Sequence, residues 1–250
     1  MWRHIAQSVQ GARHGALGTP NQDSCLVRLL GAEPGAPLVA CVADGAGSSE
    51  HSGVGSRLAC QSIADSAAAH FQRHRSFSGL KTDDVLTWCE AARKQIVACA
   101  EQNERDIRDY ATTLCTAILS PKASLFFQIG DGAIVARRKD ALGVVFWPQS
   151  GEYANATNFL TSSEFRVHVE VCFTPEIFSD VALMTDGMER LALKFDSLTP
   201  HPPFFEPLFR ALREAADVDA LAEDLRQLLQ SDSVQRKTDD DKTLVLASRV

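Results

Sequence analysis

The sequence predicts an α+β fold of two packed β-sheets with helices on their outer faces. Three observations predict it. Apolar runs of strand length occur in clusters. A long helical pair separates the first cluster from the second. A further helix and one last strand close the chain. Strands clustered in this way do not fit a doubly wound βαβ sheet.

Residues 2–9 and 24–30 read as short strands. Leu38 to Ala43 is a continuous apolar run ended by Asp44-Gly45, as in a strand buried on both faces. Residues 53–74 predict a helix, with Val54, Leu58, Ile63 and Phe71 roughly on one face. A second helix is predicted from about 82 to 109, with Thr82 as N-cap ahead of Asp83-Asp84. Strands return at roughly 112–119, 124–129, 133–138 and 143–147. Residues 151–163 are polar and irregular and predict a surface flap, set within about 148–164. Strands resume near 165–173 and 181–185. Thr199-Pro200-His201-Pro202-Pro203 reads as a loop, residues 206–230 as helix broken near Asp217-Val218-Asp219, and Thr243 to Ser248 as the final strand.

With 250 residues, 45% of them hydrophobic, the chain can bury one substantial core, so residues 1–250 are read as one domain. The net charge of −7 argues against nucleic acid as the main partner. An anionic substrate stays open, because bound cations invert a local field. No apolar run reaches the length of about 18 residues that a membrane helix needs. The first residues lack the apolar stretch of a signal peptide. Seven scattered cysteines without a C-x-x-C pair fit reduced thiols in a cytoplasmic protein.

The chemistry collects at strand ends. Apolar strands run into aspartate and then glycine at Asp44-Gly45, Asp131-Gly132 and Asp186-Gly187. Asp239-Asp240-Asp241 stands directly before the last strand, and Asn21-Gln22-Asp23 directly before the strand at Ser24. Any one copy reads equally well as a turn. Five carboxylate-bearing strand ends that share one edge of a sandwich would repel, and a hard divalent cation relieves that repulsion.

The ordered set N-Q-D, V-A-D-G-A-G, A-T-T, I-G-D-G, T-D-G and D-D-K-T resembles the type-2C metal-dependent serine/threonine protein phosphatases, over about Gly11 to Ala247. D-G-A-G-S at Asp44–Ser48 and G-E-Y-A-N at Gly151–Asn155 resemble the compact bacterial branch. The resemblance implies a four-layer αββα sandwich with two central, mostly antiparallel sheets. It implies two Mg²⁺ or Mn²⁺ ions, with a third and weaker one in bacterial members. Asp44 resembles the aspartate bridging two ions, and Gly45 the residue lending a carbonyl. Asp186 and Asp240 resemble ligands of the second ion, with Asp241 the alternative if the register shifts by one. Asp23 resembles the acid that orders metal-bound water, and Asp131 the acid that helps hold the third ion. Thr112 and Thr113 resemble a threonine pair lining the site. The catalytic set implied is Asp44, Asp186 and Asp240.

The sequence departs from the family pattern at three places. Gly18 stands where the family has a phosphate-binding arginine, with Arg13 or His14 as candidate substitutes. Ala46 stands where some members carry a histidine, and Gln22 where many have glutamate. These changes bear on substrate anchoring and leaving-group protonation rather than on metal binding.

The implied activity is hydrolysis of phosphoserine and phosphothreonine in proteins by a metal-bridging hydroxide, with no covalent enzyme intermediate. A cognate kinase is a further expected partner; no nucleic acid or membrane is. Two alternatives stay open: a metal-dependent hydrolase of small phosphoesters, and a degenerate domain serving as a regulatory binding module. Cys99 to Arg105 matches the C-x₅-R spacing of cysteine-dependent phosphatases. It lacks the glycines that cradle phosphate and has helical character, so it is read as structural. His70 and His74 have no further ligands nearby in sequence and are read as exposed helix residues. Phe204, Phe205 and Phe209 are read as core or a helix staple rather than a ligand platform.

Overall fold

The computed structural model describes residues 1–149 and 157–250. Its strands are β1 (Trp2–Val9), β2 (Ser24–Leu29), β3 (Leu38–Ala43), β4 (Leu114–Leu119), β5 (Ser124–Ile129), β6 (Ala133–Arg138), β7 (Ala141–Phe146), β8 (Glu170–Thr174), β9 (Asp180–Met184), β10 (Leu193–Lys194), β11 (Thr199–Pro200) and β12 (Lys242–Arg249). The helices are α1 (Ala12–Leu17), α2 (Ser52–His74), α3 (Thr82–Gln102), α4 (Phe165–His168), α5 (Glu189–Ala192), α6 (Pro202–Glu214), α7 (Val218–Gln230) and α8 (Asp232–Gln235).

Two five-stranded antiparallel sheets form the centre. The first has the order β1-β12-β9-β6-β7 and the second β2-β3-β4-β5-β8. Strand faces alternate, so each sheet feeds two cores. From β3, Leu38, Ala40 and Val42 join Val181, Leu183, Val245 and Ala247 of the first sheet in the core between the sheets. Val39, Cys41 and Ala43 point the other way, onto Ile63 and Ala67 of α2 and Val85 and Ile96 of α3. On the far side, Phe205, Phe209 and Leu212 of α6 and Leu225 and Leu229 of α7 cover Leu244 and Leu246 of β12. The predicted αββα layering is therefore observed, and Phe205 and Phe209 are fully buried core residues.

Three local expectations are corrected. The predicted helix to 109 stops at Gln102, and a separate 3₁₀ turn covers Ile107–Tyr110. The predicted strand over 165–173 is the short helix α4 followed by β8. The proline-rich stretch is not all loop: Thr199–Pro200 pairs with Leu193–Lys194, and Pro202 opens α6. A helix accepts proline there because its first N–H groups have no partner inside the helix. Helix α1 was not expected. It ends at Gly18, whose φ of 69° is the left-handed conformation of a helix C-cap. The flap expected within 148–164 lies partly outside the described residues, as does the G-E-Y-A-N motif.

Candidate metal centre

Strand register brings the acidic strand ends to one edge. Ala43 pairs with Ser24, so Asp44 leaves β3 beside Asp23, the residue before β2. Met184 pairs with both Leu244 and Ala133, so Asp186 lies past β9 between the start of β12, behind Asp240, and the start of β6, behind Asp131. Asp131 sits on the turn where the chain crosses from β5 in one sheet to β6 in the other.

Asp44, Asp131 and Asp186 each place a carboxylate oxygen within 4.8 Å of the others. Among the described residues no side-chain cation pairs with any of the three. Burial raises the Asp44 carboxyl well above its ordinary value, with repulsion from Asp23 and Asp186 added. Burial likewise moves Asp186 up to about 6 and raises Asp131. Asp23 is pushed up to about 8, chiefly by burial, against the hydroxyls of Thr243 and Thr185 that donate to its Oδ2 at 2.7 Å each. Its Oδ1, like Oδ1 of Asp186, is buried without a hydrogen-bond partner. Clustered carboxylates, three half-buried and Asp23 buried, two of them with orphaned oxygens, fit a hard divalent cation held by oxygen. A cation replaces proton sharing between carboxylates as the means of relieving repulsion.

The backbone around Asp44 is fixed from both sides. Thr113 Oγ1 accepts from the Asp44 amide at 2.9 Å, and the Asp44 carbonyl accepts from Thr113 N at 2.9 Å and Thr112 Oγ1 at 3.0 Å. Both threonines, expected to line the substrate site, are instead buried behind Asp44 and grip its main chain. A Cβ on Gly45 would stand 2.6 Å from the Gln22 carbonyl oxygen and 2.8 Å from that of Ser52, so a side chain there would push the loop apart.

The tract Asp239-Asp240-Asp241 divides its labour. Asp241 is buried, and its oxygens accept from the amides of Gly11 and Gln22 at 2.7 Å each. His14 Nδ1 also lies 2.8 Å from Asp241 Oδ2, without the alignment of a hydrogen bond. Asp241 thus ties down the N-terminal segment, while Asp240 lines the cleft beside Asp186. Asp240 stands outside the close group formed by the other three carboxylates. His14, expected as a substrate contact, is buried, whereas Arg13 is exposed.

Glu189 was not foreseen. It lines the same cleft, and burial, then repulsion from Asp186 and Asp131, raises its carboxyl to about 8. A signal was available, since an acid stands three residues after Asp186. The Asp131 turn is anchored as well. Thr157 Oγ1 donates to Asp131 Oδ2 at 2.6 Å, and the Gly130 amide donates to Gln149 Oε1 at 2.9 Å.

The profile of the protein phosphatase 2C family matches residues 10–230. The chain belongs to that family. As a phosphatase 2C member it is 37% identical to Serine/threonine-protein phosphatase 3 of Escherichia coli (strain K12) over 251 residues, 98% of each chain. Among solved structures, the fold is shared with serine/threonine phosphatase Stp1 from Staphylococcus aureus, at 14% identity and TM-score 0.65, over 100% of this chain and 96% of that one. It is also shared with the catalytic domain of the serine/threonine phosphatase PstP in complex with two manganese ions, at 19% identity and TM-score 0.60, over 99% and 97%.

Cys99 lies on the last turn of α3, its sulfur contacted by the Asn103 amide at 3.7 Å. His70, expected to be exposed, is half-buried, bonding the Ser76 carbonyl and stacking near Phe77, whereas His74 is exposed.

Proposed function

We propose that this chain is a metal-dependent protein phosphatase that hydrolyses phosphoserine and phosphothreonine, with residues 1–250 forming one catalytic domain that works in the cytoplasm. The observation that carries the reading is the close approach of Asp44, Asp131 and Asp186 within a phosphatase 2C fold, with no cation beside them among the described residues.

Asp44 and Asp186 are the proposed core ligands, with the Gly45 carbonyl beside them and Asp240 completing the shell. Asp23 is positioned by Thr185 and Thr243 to hold a water at the edge of the site. Asp131 is the proposed ligand of a further ion. Bound Mg²⁺ or Mn²⁺ supplies an activated water and neutralises phosphoryl charge. The chain's own task is to hold carboxylates at fixed spacing against their repulsion. The Thr112 and Thr113 clasp and the Asp241 tether do this for the main chain on which Asp44 and Asp240 ride. Arg13, exposed on α1, is the remaining candidate substrate contact from the N-terminal segment.

The test is a phosphatase assay on phosphothreonine peptides with chelator, then with Mn²⁺ or Mg²⁺. Activity should vanish and return, because ions held by carboxylates exchange readily. Full activity after exhaustive chelation refutes the mechanism.

A further inference from the structure

We propose that the cleft beside the carboxylate cluster binds a second anionic group of the substrate. On this view the chain prefers phosphopeptides that carry an acidic or phosphorylated side chain close to the phosphate removed. The inference rests on the phosphatase reading above.

The cleft has a volume of about 430 Å³ and is shared by two sets of charges. Asp186, Glu189, Asp239 and Asp240 are the acids, and Arg190, Arg236 and Lys237 the bases. All three bases are exposed, and among the described residues none has a carboxylate within ion-pair distance. Elsewhere, Arg137 and Arg213 pair with Asp180, Arg28 with Asp65 and Arg226 with Glu223. Three exposed cations without a carboxylate partner thus share one cleft with the acidic cluster, in a chain of net charge −7. Four acids outnumber three bases in the cleft as it stands. Divalent ions on the carboxylates reverse that balance and leave a positive wall beside the reacting phosphate.

The main chain that carries two of the cations is ordered. The amide of Arg236 donates to the Asp232 carbonyl at 3.1 Å, and that of Lys237 to Val234 at 2.9 Å, continuing the turn of α8. Lys237 and Arg236 precede Asp240 by three and four residues, and Arg190 follows Asp186 by four. An extended peptide covers about 3.3–3.6 Å per residue. A side chain two or three residues from the phosphorylated one, roughly 7–11 Å away, is then the segment within reach. Guanidinium and ammonium groups take carboxylate and phosphate oxygens alike, so the anion is either a glutamate or aspartate or a second phosphate.

The experiment uses the Mn²⁺-loaded protein and three peptides with one phosphothreonine. Two residues away they carry glutamate, a phosphoserine mimic that resists hydrolysis, or lysine. The wild type should show kcat/KM about fivefold higher for the first two than for the third, the product of two exposed ion pairs. The preference should shrink at high salt. In R236Q/K237Q the ratio should fall to about one, and in R236E/K237E it should invert. Melting temperature with Mn²⁺ checks that both variants fold. Discrimination by the phosphoserine mimic alone assigns the cleft to phosphate, and discrimination by both assigns it to anions in general. Equal kcat/KM on all three peptides, or a ratio unchanged in both variants, overturns this inference alone. Hydrolysis of none of them overturns the phosphatase reading and this inference with it.

Discussion

Asp44 and Thr113 hold each other through two hydrogen bonds of 2.9 Å, one from the Asp44 amide to the threonine hydroxyl and one from the Thr113 amide to the Asp44 carbonyl. Thr113→Val keeps the shape and removes the acceptor. The stranded Asp44 amide should cost about 1–3 kcal/mol of stability. For a chain of this size that is a fall of roughly 2–4 °C per kcal/mol in Tm. Activity should fall with it, and Thr113→Ser should restore both. Equal Tm for the valine and serine variants would show that the hydroxyl does not hold Asp44.

The carboxylate values set a pH dependence. Asp23 lies at about 8 and Asp186 at about 6 in the folded protein, and Asp44 is raised as well, chiefly by burial. A raised folded value means that the folded state binds more protons than the unfolded one. The stability so gained is full below the ordinary carboxylate value, about 3.9. It is lost as pH rises through the folded values. With chelator present, Tm should therefore fall between about pH 5.5 and pH 8. Mn²⁺ should raise Tm most at the upper end, since the ion takes over from the protons. A metal-free Tm that climbs over this range contradicts the clustering.

Asp44→Asn separates site from scaffold. Activity should drop roughly a thousandfold or more if Asp44 is an ion ligand, as proposed. The metal-free Tm should hold or rise, because one member of a repelling group becomes neutral. Asp131→Ala should slow turnover while leaving two ions bound. Metal content by mass spectrometry, read beside Tm, decides both.

Asp180 supplies the opposite case. Fully buried at the start of β9, it accepts from Arg137 Nε at 2.6 Å, Arg213 Nη1 at 2.7 Å and Ser248 Oγ at 2.7 Å. Asp180→Ala leaves two arginines facing an empty site and should cost about 3–5 kcal/mol. The protein that remains folded should bind Mn²⁺ as tightly as before, since Asp180 is at the far end of the strand from Asp186. Weakened Mn²⁺ binding would show the two ends to be coupled.

Cys99→Ser should leave turnover nearly unchanged, because no thiolate attacks phosphorus in a reaction driven by an activated water. A trapped phosphocysteine would overturn that mechanism.

The strands that carry the site were legible because each is a short apolar run cut off by Asp-Gly or preceded by aspartate. Their convergence is a matter of register, which pairs Ala43 with Ser24 and Met184 with Leu244 across long stretches of chain. No local pattern encodes that pairing. The distinction between Asp240 and Asp241 was equally hidden. Neighbouring identical residues carry no sequence signal that tells them apart, and only the amides of Gly11 and Gln22 show which one is engaged. Helix α1 escaped because six residues with one buried side chain carry no periodicity. The second helix ends at Gln102 rather than 109, and no glycine or proline in 103–109 marks that end in sequence. Tertiary gripping by Thr112 and Thr113 left no trace in sequence beyond the residue types.

The two sheets meet through apolar side chains, whose attraction has no preferred direction along the strands. Asp23, just before β2 in one sheet, takes hydroxyls from Thr185 and Thr243 at the ends of β9 and β12 in the other. It acts as a pin through both layers. The proposed ion-holding pair Asp44 and Asp186 straddles the same seam, one residue from each sheet. Sliding one layer over the other therefore has to shear the carboxylate edge first, so mechanical registry and catalytic competence are lost in one event.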